Sequence, residues 1–217
     1  MTISPRGTLD RELARLRDEL LRLGSLVDSA IERALRALQT RDLALARQVS
    51  QDDQAINDLR YKIEEDCLAL IATQQPAAVD LRTTVAILNI IIDLERMADH
   101  AAGIAEIVIR MGTEPLLKPL IDIPRMAQID REMLRRSLDA FIAHDPDLAR
   151  EVAQRDDEVD HLYNQILTYM IEDPKTITRA TYLLWVAHNL ERIGDRVTNI
   201  SERVVFMTTG IVRELNV

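Results

Sequence analysis

Turn formers and aromatics are scarce in this chain. Among 217 residues there are six glycines, seven prolines, two Phe, four Tyr and one Trp, which argues against the many short strands and tight turns of an all-β protein. The single cysteine, Cys67, excludes an intrachain disulfide. Its apolar helical position in 63-IEEDCLALIA-72 predicts a buried, inert thiol. Positive charge is also short: 27 Lys and Arg against 36 Asp and Glu leave a formal charge of −9. That balance argues against a nucleic-acid partner, because phosphate contacts need a basic surface. Long apolar runs are missing too. The longest, 84-TVAILNIII-92, is interrupted by Asn89 and stopped by Asp93, well short of the ~20 residues that cross a bilayer. No apolar stretch of the kind found in a signal peptide follows Met1 before Arg6, Asp10, Arg11 and Glu12, so the expectation is a cytoplasmic protein.

What is abundant is Leu, Ala, Arg and Glu in helical spacing. Leu9, Leu13, Leu16, Leu20, Leu23, Val27, Ala30 and Ala34 alternate steps of four and three, the seam of a helix packed along its length against others. Near 39-QTRD-42, Thr40 or Asp42 is placed to cap a second helix that runs through Thr73. Pro76 ends it, and a third helix spans about Asp80 to Met111. Three of the seven prolines fall in 112-GTEPLLKPLIDIP-124, the best candidate for a linker. A fourth helix to Ala143, a turn at 144-HDPD-147, a fifth helix, a turn at 172-EDPKT-176 and a last helix ending before Gly210 complete the chain.

The two halves are copies. Setting 45-LARQVSQDDQAINDLRYKI-63 on 148-LAREVAQRDDEVDHLYNQI-166 at an offset of 103 puts Asp53 on Asp156, while the final helices align at an offset of 96. The first copy therefore has seven more residues between its second and third helices, and 71-IATQQPAAVDLRTTV-85 reads as a longer connection than 171-IEDPKTI-177. Three long helices per repeat suffice to bury a core. The expectation is an all-α fold of six long helices in two tandem, pseudo-symmetric three-helix bundles, residues 8–112 and 119–209, joined by a linker at 113–118.

Acidic residues recur in register within these apolar helices. At 100° per residue, Glu95, Asp99 and Glu106 fall within a stripe about 40° wide. Glu191, Asp195 and Glu202 repeat it, with Asn199 and His188 close by. The preceding helices bring Asp53 with Asn57, and Asp156 with Asp160. Like charges at i,i+4 repel, and facing helices would sharpen that repulsion unless a cation sat among them. Carboxylate oxygens suit Mg²⁺, Ca²⁺ or Mn²⁺, and also iron. The plainer alternative is a solvated face whose aspartates pair with Arg96 and Arg192, three residues before Asp99 and Asp195. Repetition of the layout in both copies brings the cation level with that alternative. The pair Glu158–His161 has the Glu-x-x-His spacing of di-iron bundles, but the position opposite His161 is Asp58, which disfavours an oxidase. No phosphate loop and no nucleophile with a partnering base stands out, so no catalytic residue is nominated. Met126, Met133, Met170 and Met207 read as core filler.

The segments 75-QPAAVDLR-82, 94-LERMAD-99, 168-TYMIEDPKTI-177 and 190-LERIGDRVTNI-200 resemble the PhoU family of phosphate-transport regulators, over nearly the whole chain. The resemblance implies two three-helix bundles whose paired E(D)xxxD motifs bind metal ions, iron or zinc foremost. Carried over by position, the metal residues are Asp53, Asn57, Glu95 and Asp99 in the first copy and Asp156, Asp160, Glu191 and Asp195 in the second, with Asn199 beside them. Asn57 stands opposite Asp160, and Gly103 opposite Asn199, so the first site offers fewer oxygen donors and the second is expected to bind more tightly. The resemblance further implies a non-enzymatic negative regulator of phosphate uptake and of the phosphate-starvation response. Its implied partners are the ATPase of the phosphate-specific ABC transporter, a sensor histidine kinase and a second copy of itself, with membrane contact only through partner proteins. An orphan paralogue serving another transporter, and a metal-storage helical protein, are the rival readings.

Overall fold

The computed structural model describes residues 5–112, 120–171 and 177–215. These form α1 (Pro5–Thr40), α2 (Leu43–Gln74), α3 (Ala78–Met111), α4 (Asp122–Ala143), α5 (Pro146–Gln154), α6 (Asp156–Ile171) and α7 (Ile177–Thr209). There is no strand among the described residues. The first bundle is α1, α2 and α3; the second is α4, the α5–α6 pair and α7. The expected linker at 113–118 lies outside the described residues.

The seam expected in α1 is the wall of the core: all eight of its residues are buried, Leu20, Leu23, Val27 and Ala34 completely. Burying a Leu or Val contributes about 1.5–3 kcal/mol each, enough to set how a 36-residue helix lies. Asp42 rather than Thr40 caps α2, its carboxylate accepting from the Leu45 amide at 2.9 Å; Thr40 instead donates to the Arg36 carbonyl. Asp145 does the same for α5, accepting from Asp147 and Leu148, and Pro146 occupies the first turn, where its missing N–H costs nothing. Gln75 adopts a left-handed conformation just before Pro76 and ends α2.

Two expectations need correction. The fifth helix is not continuous: it breaks at Arg155, whose amide donates to Val152 while α6 starts afresh at Asp156. Asp156, Asp157 and Glu158 then occupy the first turn of a new helix, where the helix dipole favours negative charge. The seven extra residues of the first copy are not a long loop either. Only residues 75–77 separate α2 from α3; the additional length is helix.

The bundles meet chiefly where α3 packs along α7, with α1 against α4 as a second contact. Asp93 on α3 accepts from Asn199 on α7 at 3.1 Å and lies 3.6 Å from Arg196. At the positions offset by 96, Asn189 on α7 meets His100 on α3 at 3.0 Å. A pseudo-two-fold relation therefore runs through this interface, with Asp93 and Arg196 exchanged for Asn189 and His100. Across the other contact, Arg131 of α4 makes a two-pronged bond to Asp28 of α1 at 2.7 and 3.0 Å, a geometry that holds register as well as charge.

Candidate functional site

The first acidic face lies between α2 and α3. Asn57 donates to Asp53 at 3.2 Å, one turn apart on α2. Burial raises the Asp53 carboxyl above the ordinary range and the nearby Asp99 raises it further, against the Asn57 hydrogen bond. Glu95 is raised by burial and then by Asp99, with Arg60 and Arg96 opposing. Three carboxylates thus sense one another across the helix pair. Asp53 Oδ1 and Asn57 Oδ1 are buried with no hydrogen-bond donor. Glu106 does not join them; it is exposed and pairs with Arg110 at 3.6 Å.

The second face lies between α6 and α7 and opens into a cavity of about 740 Å³ whose wall includes Asp156, Asp160, Asp195 and Asn199. Burial and then Asp195 raise the carboxyls of both Asp160 and Glu191. Glu191 Oε2 is buried without a donor, and His188 lies 3.4 Å from that same oxygen. Arg192 holds Asp195 Oδ2 at 2.6 Å, so the ion pair expected on the plainer reading is present. Asn199 lines the cavity, but its amide nitrogen is spent on Asp93 across the bundle interface. Glu202 accepts from the Leu215 amide, where the chain returns after α7.

Asp156 departs most from its counterpart. It is 3% exposed and accepts from Thr198 at 3.2 Å, whereas Asp53 sits half-buried in an unbroken helix. The break at Arg155 turns Asp156 inward, and Gly194 makes room for it: a Cβ there would stand 2.6 Å from Asp156 Oδ1. The first copy has Ala98 at that position.

One acidic residue of this face escaped the stripe argument. Asp130, on α4, is fully buried, and neither of its carboxylate oxygens has a hydrogen-bond partner. Burial raises its carboxyl well above the ordinary value, and Asp156, Asp195 and Glu191 add to the effect. The signal was available: shifting the α1 seam by 103 turns Leu23, Val27, Ala30 and Ala34 into Met126, Asp130, Met133 and Ser137. An acid stands where the first copy has buried Val27.

Glu158 and His161 are both exposed, bonded to Arg155 and Gln165 respectively, so they face away from the cavity and form no di-iron half-site. Cys67 is buried, its thiol pushed up to about 12 by burial and by Asp66, Glu64 and Glu19, and it is no nucleophile. No helix among the described residues is long and apolar enough to cross a membrane. Nor, among them, does any group of three or more His, Cys, Asp or Glu side chains stand ready to hold a metal ion as placed.

Two three-helix bundles packed in this way have known counterparts. A family model described as the PhoU domain matches twice, over residues 20–108 and 123–204. The chain belongs to the PhoU family. It is 39% identical over 206 residues to a phosphate-specific transport system accessory protein PhoU homolog of Pseudomonas putida, covering 92% of this chain and 80% of that one. A homolog of the same description from Aquifex aeolicus is 40% identical, with 93% of each chain covered. The crystal structure of the phosphate transport system regulatory protein PhoU from Streptococcus pneumoniae superposes with a TM-score of 0.89 at 34% identity, covering 94% of this chain and 99% of that one. PhoU from Pseudomonas aeruginosa gives 0.87 at 37%, covering 93% and 99%. Membership in this family makes the chain a regulatory protein rather than an enzyme.

Proposed function

We propose that this PhoU-family protein is a negative regulator of phosphate uptake and of the phosphate-starvation response. In this reading it is a homodimeric, cytoplasmic adaptor between the ATPase of the phosphate-specific ABC transporter and a sensor histidine kinase, with metal ions held at its two acidic faces. The observation that carries the reading is the double match of the family model, one match over each bundle. The relatives it matches over 80% and 93% of their lengths are described as phosphate-specific transport system accessory proteins.

Metal at the acidic faces is supported by unmet demand. Asp53 Oδ1 and Glu191 Oε2 are buried acceptors without hydrogen-bond donors, and an unsatisfied buried acceptor costs about 1–3 kcal/mol. The residues that would hold a cation are Asp53, Asn57, Glu95 and Asp99 at the first face and Asp156, Asp160, Glu191 and Asp195 at the second. All donors are oxygen, which suits iron, manganese, magnesium or calcium, and zinc as a borderline ion. A bound cation supplies positive charge that cancels carboxylate repulsion. This chain's part is to gather the donors: α2 and α3, or α6 and α7, present them in facing pairs, and Asp195 lines the cavity while its Oδ2 pairs with Arg192.

Deleting the gene tests the regulatory reading. In phosphate-replete medium the deletion strain should keep starvation genes on and keep importing phosphate, and the wild-type copy should restore both controls. Tagged protein from the same cells should recover the transporter ATPase or the kinase. A deletion that changes neither output, with another transporter's ATPase recovered instead, would overturn the phosphate assignment.

A further inference from the structure

Asp130 occupies a core position of α4 that a hydrophobic side chain fills in the first bundle. It is fully buried, and both oxygens lack a donor. A carboxyl in such a place costs stability in either protonation state, because the charged form is desolvated and the neutral form is left without partners. Val27 shows that the fold tolerates an apolar residue here. The surroundings are equally specific. A Cβ on Gly194 would lie 3.3 Å from Asp130 Oδ1 and 2.6 Å from Asp156 Oδ1, so both oxygens converge on the one α7 residue that has no side chain. Asp156 in turn lines the cavity together with Asp160 and Asp195. Asp130 is not itself on that wall, so an ion shared by Asp130 and Asp156 would lie behind the wall, beside Gly194.

We propose that Asp130 is an inner oxygen donor of the second acidic face, coordinating a hard divalent cation from behind Asp156 in the space left by Gly194. This deepens the metal reading above and rests on it. The second site then has two tiers. Asp160, Glu191 and Asp195 form the rim between α6 and α7, and Asp156 with Asp130 forms the floor, tying α4 into the site. The first face has no floor: Val27 replaces Asp130, Ala98 replaces Gly194, and Asp53 remains half-buried. A cation bound at the second face would thus crosslink all three parts of its bundle, while one at the first would join only α2 and α3.

The test uses the full chain, stripped by chelator and titrated with Mn²⁺ by calorimetry, with melting curves at each end point. Asp130→Val copies the first bundle and should melt several degrees higher than wild type without metal. It should bind Mn²⁺ at the second face at least about tenfold more weakly, a loss in the range seen when groups supporting a metal site are removed. Asp130→Asn, which keeps one neutral oxygen, should fall between the two and carries the test if the Val variant fails to fold. Asp195→Asn runs in parallel. If it loses the site while Asp130→Val and Asp130→Asn bind like wild type, Asp130 is no donor and the inference falls while the metal reading stands. If wild type takes up no Mn²⁺, both fall.

Discussion

The two bundles carry the same plan with different buried groups. The first keeps Val27, Asn57 and Ala98 where the second has Asp130, Asp160 and Gly194, and its second helix runs unbroken where the other breaks at Arg155. Each change moves the same way. More carboxylate is brought to the second face, and two acids lie beneath its surface, Asp130 at 0% and Asp156 at 3% exposure. Duplication supplied the scaffold. One half is nearer a conventional apolar core, and the other carries buried charge that the protein alone leaves partly unsatisfied. At the seam the divergence runs the opposite way: Asp93 on α3 faces Arg196 and Asn199, while Asn189 on α7 faces His100.

The comparison breaks most decisively on metal affinity. If the second face is the tighter site, Asp195→Asn should weaken the first equivalent of Mn²⁺ bound by at least about tenfold, whereas Asp99→Asn should disturb only a later, weaker one. Equal losses from the two variants would mean the halves are equivalent. Next in size is the glycine. Gly194→Ala forces Asp156 and Asp130 aside at about 1–3 kcal/mol and regains about 1 kcal/mol of helix propensity, so denaturant melts should show a net loss of up to about 2 kcal/mol. The reciprocal Ala98→Gly should cost nearer ~1 kcal/mol, the ordinary helix penalty. A Gly194→Ala variant that gains the full ~1 kcal/mol of helix propensity would show that the floor is not packed against α7.

Asn57→Asp makes the first rim match the second. It should tighten Mn²⁺ binding there by several-fold and lower the melting temperature without metal, since the hydrogen bond to Asp53 becomes a like-charge pair. The smallest effect is the response to pH. Asp53, Glu95, Asp130, Asp160 and Glu191 all hold their protons more tightly in the fold than in the ordinary range. Between the ordinary and raised values the folded state binds more protons, so their contribution to stability is greater at low pH and declines as pH rises through the raised values. Metal-free wild type should therefore lose stability relative to Asp130→Val as pH rises from the ordinary carboxylate range towards neutrality, a difference in which the opposing His100 and His144, both lowered by burial, cancel. Asp66 runs the other way. Burial pushes its carboxyl up, but hydrogen bonds from Lys62 and Arg15 hold it below the ordinary value, so its contribution is lost only at more acid pH.

Much of this was readable in the chain. The α1 seam, a cap at Thr40 or Asp42 and the stop at Pro76 are local signals; the choice of Asp42 took the structure. The acidic motifs were equally plain, because i,i+4 spacing puts two side chains on one face whatever that face meets. What stayed hidden depends on neighbours. The 148–166 segment matches 45–63 closely enough to predict one continuous helix, and nothing within it marks the break at Arg155. Asn199 shares a stripe with Asp195, yet the stripe of one helix says nothing of Asp93 approaching from another. Asp130 needed two observations at once, the heptad seam of α1 and the offset of 103. Neither alone marks a lone aspartate on α4 as buried.

One contact weighs against the cation. Arg192 already pairs with Asp195, the two side chains being 37% and 32% exposed, and an ion pair that open to water is worth about 0–1 kcal/mol. Relief of repulsion from Asp160 and Glu191 should equal or exceed that. Melting of Asp195→Asn and wild type, each stripped by chelator and each resupplied with Mn²⁺, decides between them. Cation-binding faces predict that stripped Asp195→Asn melts no lower than stripped wild type, and that Mn²⁺ stabilises wild type much more than the variant. If chelator leaves wild type unchanged and Asp195→Asn melts lower with or without Mn²⁺, the carboxylates serve ordinary helix ion pairs and these are not metal sites.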